Sequence, residues 1–250
     1  MTAAFAITRV TTRQLVGGRR AIWLVLLALA PALIFALATS NISRSELFDP
    51  FIGFVVVGHF GVVVPLVTLA FAGPALGQER RGHTLSFLVL RPIPRWAIAA
   101  AKLLGAFAAG YLVTGVGALG LAVVYGVRAG DWAWIPALLV GTAVAAAIYA
   151  SIFLPLGYAT RHATLIGLGF WLIWENGIVS AVSGLAWTSP WRVGFSAFVD
   201  LAPVTLDTDT LEFGLGSLQA GVFGAIGKAA LWVAAGLVVT TLLLRRRDLM

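Results

Sequence analysis

Apolar residues fall into six long blocks, separated by short stretches where charge, glycine and proline collect. The blocks cover about 21–39, 52–77, 97–127, 133–158, 163–185 and 218–244. A helix rises about 1.5 Å per residue, so roughly 20 apolar residues cross a hydrocarbon core of about 30 Å. The pattern therefore predicts six transmembrane helices. Ahead of them, residues 1–20 interleave Arg9, Arg13, Arg19 and Arg20 with Phe5, Ile7, Val10, Leu15 and Val16. That alternation predicts an amphipathic elbow helix on the membrane surface. Ala36-Leu37-Ala38 looks like a signal-peptide cleavage site, but the apolar block before it is too long and further spans follow, so an uncleaved span is expected. Pro65 and Pro74 are expected to kink the second span. Residues 186–217 form a longer polar-aromatic segment, in which Trp187, Pro190, Trp191, Phe195, Phe198 and Val199 suit either short amphipathic helices or a solvated loop.

Composition agrees with this picture and removes other classes. Of 250 residues 60% are apolar and 11% are charged, against roughly 25% charged in soluble domains. The net charge of +7 would suggest nucleic acid if the basic residues formed one patch. They sit instead at the ends of apolar blocks, so no nucleic-acid partner is expected. Twelve basic residues fall on one side of the predicted spans: Arg9, Arg13, Arg19, Arg20, Arg80, Arg81, Arg91, Arg95, Arg161 and Arg245 to Arg247. Arg44, Arg128 and Arg192 fall on the other, where seven of the ten acidic residues also lie. Short cytoplasmic loops retain Lys and Arg, so both termini are expected in the cytoplasm. The chain has no cysteine, which removes disulfides and thiolate metal sites.

The densest internal charge lies between the second and third spans, over residues 79–95. It reads Glu79-Arg80-Arg81-Gly82-His83-Thr84-Leu85-Ser86-Phe87-Leu88-Val89-Leu90-Arg91-Pro92-Ile93-Pro94-Arg95, and Lys102 follows inside the next apolar block. Thr84 can cap a helix start and Pro92 ends one. The reading is a short helix over Thr84–Leu90 with an apolar face and basic flanks. A chain with so little soluble mass cannot bury that face itself, so a partner or the lipid surface must cover it.

These residues resemble the first cytoplasmic loop of the type-2 ABC exporter permeases. The similarity rests on Glu79, Gly82, Thr84-Leu85, Leu88, Pro92-Ile93, Arg95 and Lys102, and on the C-terminal basic cluster followed by Asp-Leu. The chain departs from the family pattern where His83 separates Gly82 from Thr84, where Pro94 replaces a Ser, and where Ala101 precedes Lys102 in place of Gly. The resemblance implies an all-α polytopic membrane protein. It would have six transmembrane helices, an N-terminal amphipathic helix, both termini cytoplasmic and a short cytoplasmic coupling helix. It implies that Glu79, Arg80, Arg81, Thr84, Leu85, Phe87, Leu88, Arg91 and Arg95 meet an ABC ATP-binding subunit. Two copies of that subunit would hold ATP and Mg, and this chain would bind no cofactor. A second permease chain, the same or different, would complete the assembly in the cell membrane, expected to be a prokaryotic inner membrane. Such families also carry short helices between the fifth and sixth spans, where they resemble an exit gate.

Chemistry within the chain is sparse. A phosphate-binding loop needs Gly, four residues, then Gly-Lys-Ser or Gly-Lys-Thr. Gly227-Lys228 has Val222 at the first glycine position and Ala229 in place of the hydroxyl. His59, His83 and His162 are scattered, without metal-ligand spacing. No enzyme active site is expected. Two charges lie deep: Glu175 in the fifth span and Lys228 in the sixth. Each lies ten residues from the expected outer end of its span, about 15 Å deep, so an ion pair or shared polar cavity is expected, against a snorkelling Lys228. Ser217, Gly221, Ala225 and Ala229 repeat every four residues and would let a helix approach closely, either within the chain or from a second copy. The readings in play are the permease subunit of an ABC exporter, a secondary transporter working alone, and a non-transporting membrane scaffold.

Overall fold

The structure is a computed structural model that describes residues 3–82, 93–219 and 221–246. It is helical, with no strand among the described residues. Helix α1 is Ala3–Val16, α2 Arg19–Ala38, α3 Arg44–Arg81, α4 Arg95–Ala129, α5 Trp134–Ala159 and α6 Ala163–Ala181. Then come α7 Pro190–Asp200, α8 Thr208–Leu215 and α9 Val222–Arg246. Six of them, α2 to α6 and α9, are long and apolar enough to cross a membrane. Helix α5 is the most enclosed of the six, and α3, α4, α7 and α9 pack around it. Helices α2, α6 and α9 lie outside and turn large apolar side chains such as Trp23, Leu172 and Leu231 outward. In water such faces would be a liability. Against lipid tails they are the ordinary surface of a span.

Four prolines sit well inside these spans, Pro31, Pro65, Pro74 and Pro155, and each leaves a carbonyl four residues earlier without an α-helical N–H. Hydrocarbon offers no water to satisfy such a group, so protein must. Pro65 frees Gly61, and the indole N–H of Trp171 on α6 donates to that carbonyl at 2.6 Å. A π-helical stretch, Phe54–Val63, runs into this proline, so the helix widens without breaking. Pro74 frees Ala70, and the Arg20 guanidinium at the start of α2 donates to it at 2.8 Å. Pro155 frees Ser151, against whose carbonyl Gly236 of α9 packs so closely that a Cβ there would lie 2.5 Å from the oxygen. The helix runs through Pro65 and Pro74, and the prolines fix which spans are neighbours.

Without a hydrophobic force between spans in lipid, close packing rests on small residues. A Cβ on Gly157 of α5 would fall 1.8 Å from the Gly73 carbonyl of α3, and one on Gly77 would meet the Gly157 carbonyl at 2.4 Å. Gly117 of α4 meets the Ala28 carbonyl of α2 in the same way. Gly141 of α5 and Gly194 of α7 each face the other's carbonyl, at 2.8 and 2.7 Å from an added Cβ.

Helix α4 has 35 residues, about 52 Å, well over the roughly 30 Å hydrocarbon core. Helix α1 runs along its foot in the same direction. Thr8 Oγ1 donates to Ala101 and Thr12 Oγ1 to Gly105, at 3.2 and 3.3 Å, with a constant sequence offset of 93. The elbow helix is therefore seated on α4 through a face of small threonines, which the Ala and Gly of α4 admit. At the other end the fifth span stops at Ala181, short of Leu185, because Val182 turns extended and a 3-10 turn follows over Ser183–Thr188. Helix α7 then folds back into the bundle, with Pro190 to Phe198 buried. Phe195 and Phe198 stack on each other and meet Phe60 edge-on and tilted, and Phe198 also meets Trp134.

The α3–α5 crossing gives a first test. Gly157→Ala forces the helices apart and should lower the unfolding midpoint of the chain in detergent, at a cost of about 1–3 kcal/mol. Gly227→Ala on α9, where an added Cβ meets nothing, should not lower it. Equal midpoints for the two variants would contradict the crossing.

Candidate functional site

Two polar sites stand out, one at each end of the bundle. The first frames the connector between α3 and α4. Glu79 lies in the last turns of α3, and Lys102 lies two turns into α4. Lys102 Nζ donates to Glu79 Oε1 in an ion pair, with the Lys102 side chain 3% exposed and that of Glu79 21%. One residue on, Arg80 donates to the Tyr158 carbonyl of α5 at 2.5 Å and its guanidinium stands 5.2 Å from the centre of the Tyr158 ring. Arg80 and Arg81 then face Arg161 and His162 across a cleft of about 460 Å³ floored by Gly77 and Gly157. The feet of α3, α4 and α5 are thus tied together immediately before the connector leaves.

Of the residues expected to meet an ATP-binding subunit, Glu79, Arg80 and Arg81 end α3 and Arg95 begins α4. Thr84, Leu85, Phe87, Leu88 and Arg91, with the helix expected over Thr84–Leu90, lie outside the described residues. Lys102, counted from sequence among the residues that carry the connector's resemblance, joins this site through Glu79. The signal was available: opposite charges on the two arms that the connector joins. Only the pairing geometry was missing.

The second site lies under α7. Glu175 sits in a π-helical stretch of α6, Phe170–Ile178, and is 1% exposed. Its Oε2 accepts the hydroxyl proton of Tyr149 on α5. Arg192 of α7, buried as well, lies within electrostatic range of this carboxylate. Arg192 Nη1 donates to the Phe213 carbonyl of α8 at 2.6 Å, and its guanidinium lies 4.8 Å from the Trp191 ring centre. Trp174 donates to Thr188 Oγ1 at 3.2 Å. On α3, His59 Nε2 and Thr142 Oγ1 of α5 share a hydrogen bond of 2.8 Å, also fully buried. Burying such groups is costly unless each finds a partner. Here hydrogen bonds tie α6 to α5 through Tyr149 and to the turn before α7 through Trp174, and α7 to α8 through Arg192, while Glu175 Oε1, His59 Nδ1 and Arg192 Nε have no hydrogen-bond partner among the described residues.

The expected Glu175–Lys228 pair is corrected. Lys228 is half-buried on α9 and makes no ion pair among the described residues. Equal depth does not bring the two together, because α6 packs on α5 and α3 whereas α9 packs on α5, α7 and α4. The small-residue repeat divides: Ala225 and Ala229 pack against Val144, Ile148, Val193 and Ala197 within the chain. Ser217 and Gly221 precede the helix, and the Gly221 N–H donates to the Ser196 carbonyl at 3.3 Å.

Six apolar spans, with most of the charge gathered at their ends, describe a multi-pass membrane protein. Residues 18–173 match the family model described as ABC-2 family transporter protein, and the chain belongs to that family. The match begins beside Arg19 and includes α3, the connector, α4 and α5. No curated protein matches the chain.

The polar cluster gives a second test. In double-mutant cycles read by unfolding in detergent, Tyr149→Phe and Glu175→Gln should couple by about 0.5–3 kcal/mol, whereas Glu175→Gln and Lys228→Gln should add within about 0.5 kcal/mol. Strong coupling of Glu175 to Lys228, with none to Tyr149, would reverse the assignment.

Proposed function

We propose that the chain is the permease subunit of an ATP-driven exporter in the cell membrane, working with a separate ATP-binding subunit that docks on the connector 79–95. The observation that carries this reading is the part-buried Glu79–Lys102 pair at the foot of α3 and α4. A connector that merely linked two spans would need no such lock. One that transmits force does, because a push on residues 83–92 must move α3 and α4 together and not flex the loop. Arg80, held on Tyr158, extends the same lock to α5, the central helix. The partner's closure on ATP is then carried through a stiff triad of spans toward the opposite end, where Tyr149 of α5 bears on Glu175 and α7 lies over the bundle. In this reading α7 is the element that yields when substrate leaves.

Several features support the details. The family is a transporter family, and the sequence lacks a phosphate-binding loop, so hydrolysis is assigned to the partner, which would hold ATP and Mg. The bias of twelve basic residues to three supports a cytoplasmic connector and cytoplasmic termini. Two ATP-binding subunits and a second permease chain, as in the exporters that the connector resembles, complete the proposed assembly.

The docking face is tested with Phe87→Asp/Leu88→Asp. Burying one such side chain gains about 1.5–3 kcal/mol, so the double variant should insert normally, lose co-purification of the ATP-binding subunit and lose vanadate-sensitive ATP hydrolysis by the complex. Retained co-purification and hydrolysis would refute docking there. The lock is tested separately. Glu79→Gln, which strands the buried Lys102 ammonium, should destabilise the chain by about 3–5 kcal/mol, and Lys102→Met, which leaves the partly exposed Glu79, by less, while Glu79→Leu/Lys102→Met together should restore folding. If single and double variants unfold alike, the pair does not hold the foot of the bundle.

A further inference from the structure

Between α1 and α4 runs an open groove of about 740 Å³, lined by Phe5, Arg9, Arg13, Val16 and Leu112, with Thr8 and Thr12 where the helices meet. Its wall is not a chance gap. The two threonine hydrogen bonds to the α4 backbone hold α1 in place, and Thr11 fills the contact at Gly105. Phe5 and Leu112 nevertheless remain more than half exposed, at 54% and 55%. Apolar side chains line both ends of the groove, Val16 and Leu112 at one and Phe5 at the other, with Arg9 and Arg13 between them. The offset of 93 between α1 and α4 sets Val16 close to Leu112, and this end adjoins Arg19, where the apolar span α2 begins. Arg13 and Arg9 follow one and two turns further out, about 5 and 10 Å from Val16.

The charges of this groove are uncompensated. Arg9 and Arg13 stand one turn apart on the same face of α1, and neither forms an ion pair among the described residues. Glu79, the carboxylate at this end of α3, is engaged by Lys102. A ligand that fills the groove must therefore offer an apolar chain at the Val16 and Leu112 end and an anion about 5–10 Å away. A free phosphate leaves the apolar end uncovered, and a zwitterionic headgroup brings a cation toward two guanidinium groups. We infer that the groove binds one anionic phospholipid, with an acyl chain along Val16 and Leu112 and its phosphate between Arg9 and Arg13. Arg forks suit phosphate oxygens in this way. The lipid would bridge α1 and α4 and so add to the seat of the elbow helix.

The test uses the purified full-length chain in detergent, given an equimolar mixture of dioleoylphosphatidylglycerol and dioleoylphosphatidylcholine, with retained lipid counted by native mass spectrometry. The chain should retain the glycerol lipid over the choline lipid by about tenfold, as charge-assisted contacts to phosphate with a net anionic headgroup imply. Arg9→Gln/Arg13→Gln should bring the ratio near one, and Arg245→Gln, a basic residue outside the groove, should leave it unchanged. An unchanged ratio in the double variant, or no preference in the wild type, overturns the inference. Displacement of the lipid by millimolar inorganic phosphate would mark a free-anion site and overturn it as well. Should the double variant not survive purification, the wild type decides. Phosphatidylglycerol carrying a diazirine in its acyl chain should label Val16 or Leu112, and labelling confined to other helices contradicts the site.

Discussion

Hydrocarbon cannot hydrogen-bond, so every backbone carbonyl that a proline frees inside a span must be answered by protein. In this chain two such carbonyls take a donor from a neighbouring span. Gly61, left by Pro65, takes the Trp171 indole of α6. Ala70, left by Pro74, takes the Arg20 guanidinium of α2. Ser151, left by Pro155, meets the bare face of Gly236 on α9. Three outer spans are thus tied at defined heights to α3 and α5. Glycines at the α3–α5 and α5–α7 crossings let those helices close on one another. The prolines that would weaken a soluble helix here create the acceptors that specify its neighbours.

The same rule applied to charge places the two polar sites. Lys102 is tolerable at the buried foot of α4 because Glu79 reaches it from α3, and that pairing turns the ends of two spans into one stiff support for the connector. At the far end Glu175 is met by Tyr149 and lies near Arg192. Helix α7, which carries Arg192, is drawn into the bundle and packed on Phe60. Helix α5 contributes to both sites, through Tyr158 and through Tyr149. In the proposed mechanism, a displacement at the connector and a rearrangement under α7 share this one helix.

The six spans were legible because a run of apolar residues long enough to cross a bilayer has few other uses. The fifth was read four residues too long, since Val182 and Leu185 continue the apolar run while Ser183 and Gly184 already end the helix. The membership of Lys102 in the connector site was half legible. Its place in the pattern was visible, but a lysine near a span end usually reads as a topology signal. Glu175 was recognised as a deep charge and given the wrong neighbour. Sequence fixes depth along a helix but not which side of the bundle each helix occupies, so equal depth was mistaken for contact. The π-helical stretches around His59 and Glu175 leave no compositional mark. The docking of α1 on α4 was also hidden, because an arginine-rich amphipathic pattern reads equally as a helix lying on lipid.

The central claim is that the connector between α3 and α4 is where an ATP-binding subunit takes hold. The most direct measurement places a photoreactive phenylalanine analogue at position 87 and irradiates membranes that contain the chain and its ATP-binding subunit. The account predicts a covalent adduct between the two chains whose yield changes when vanadate arrests the ATPase. Adducts confined to lipid or to the chain's own spans, with none to the ATP-binding subunit under either condition, would contradict it.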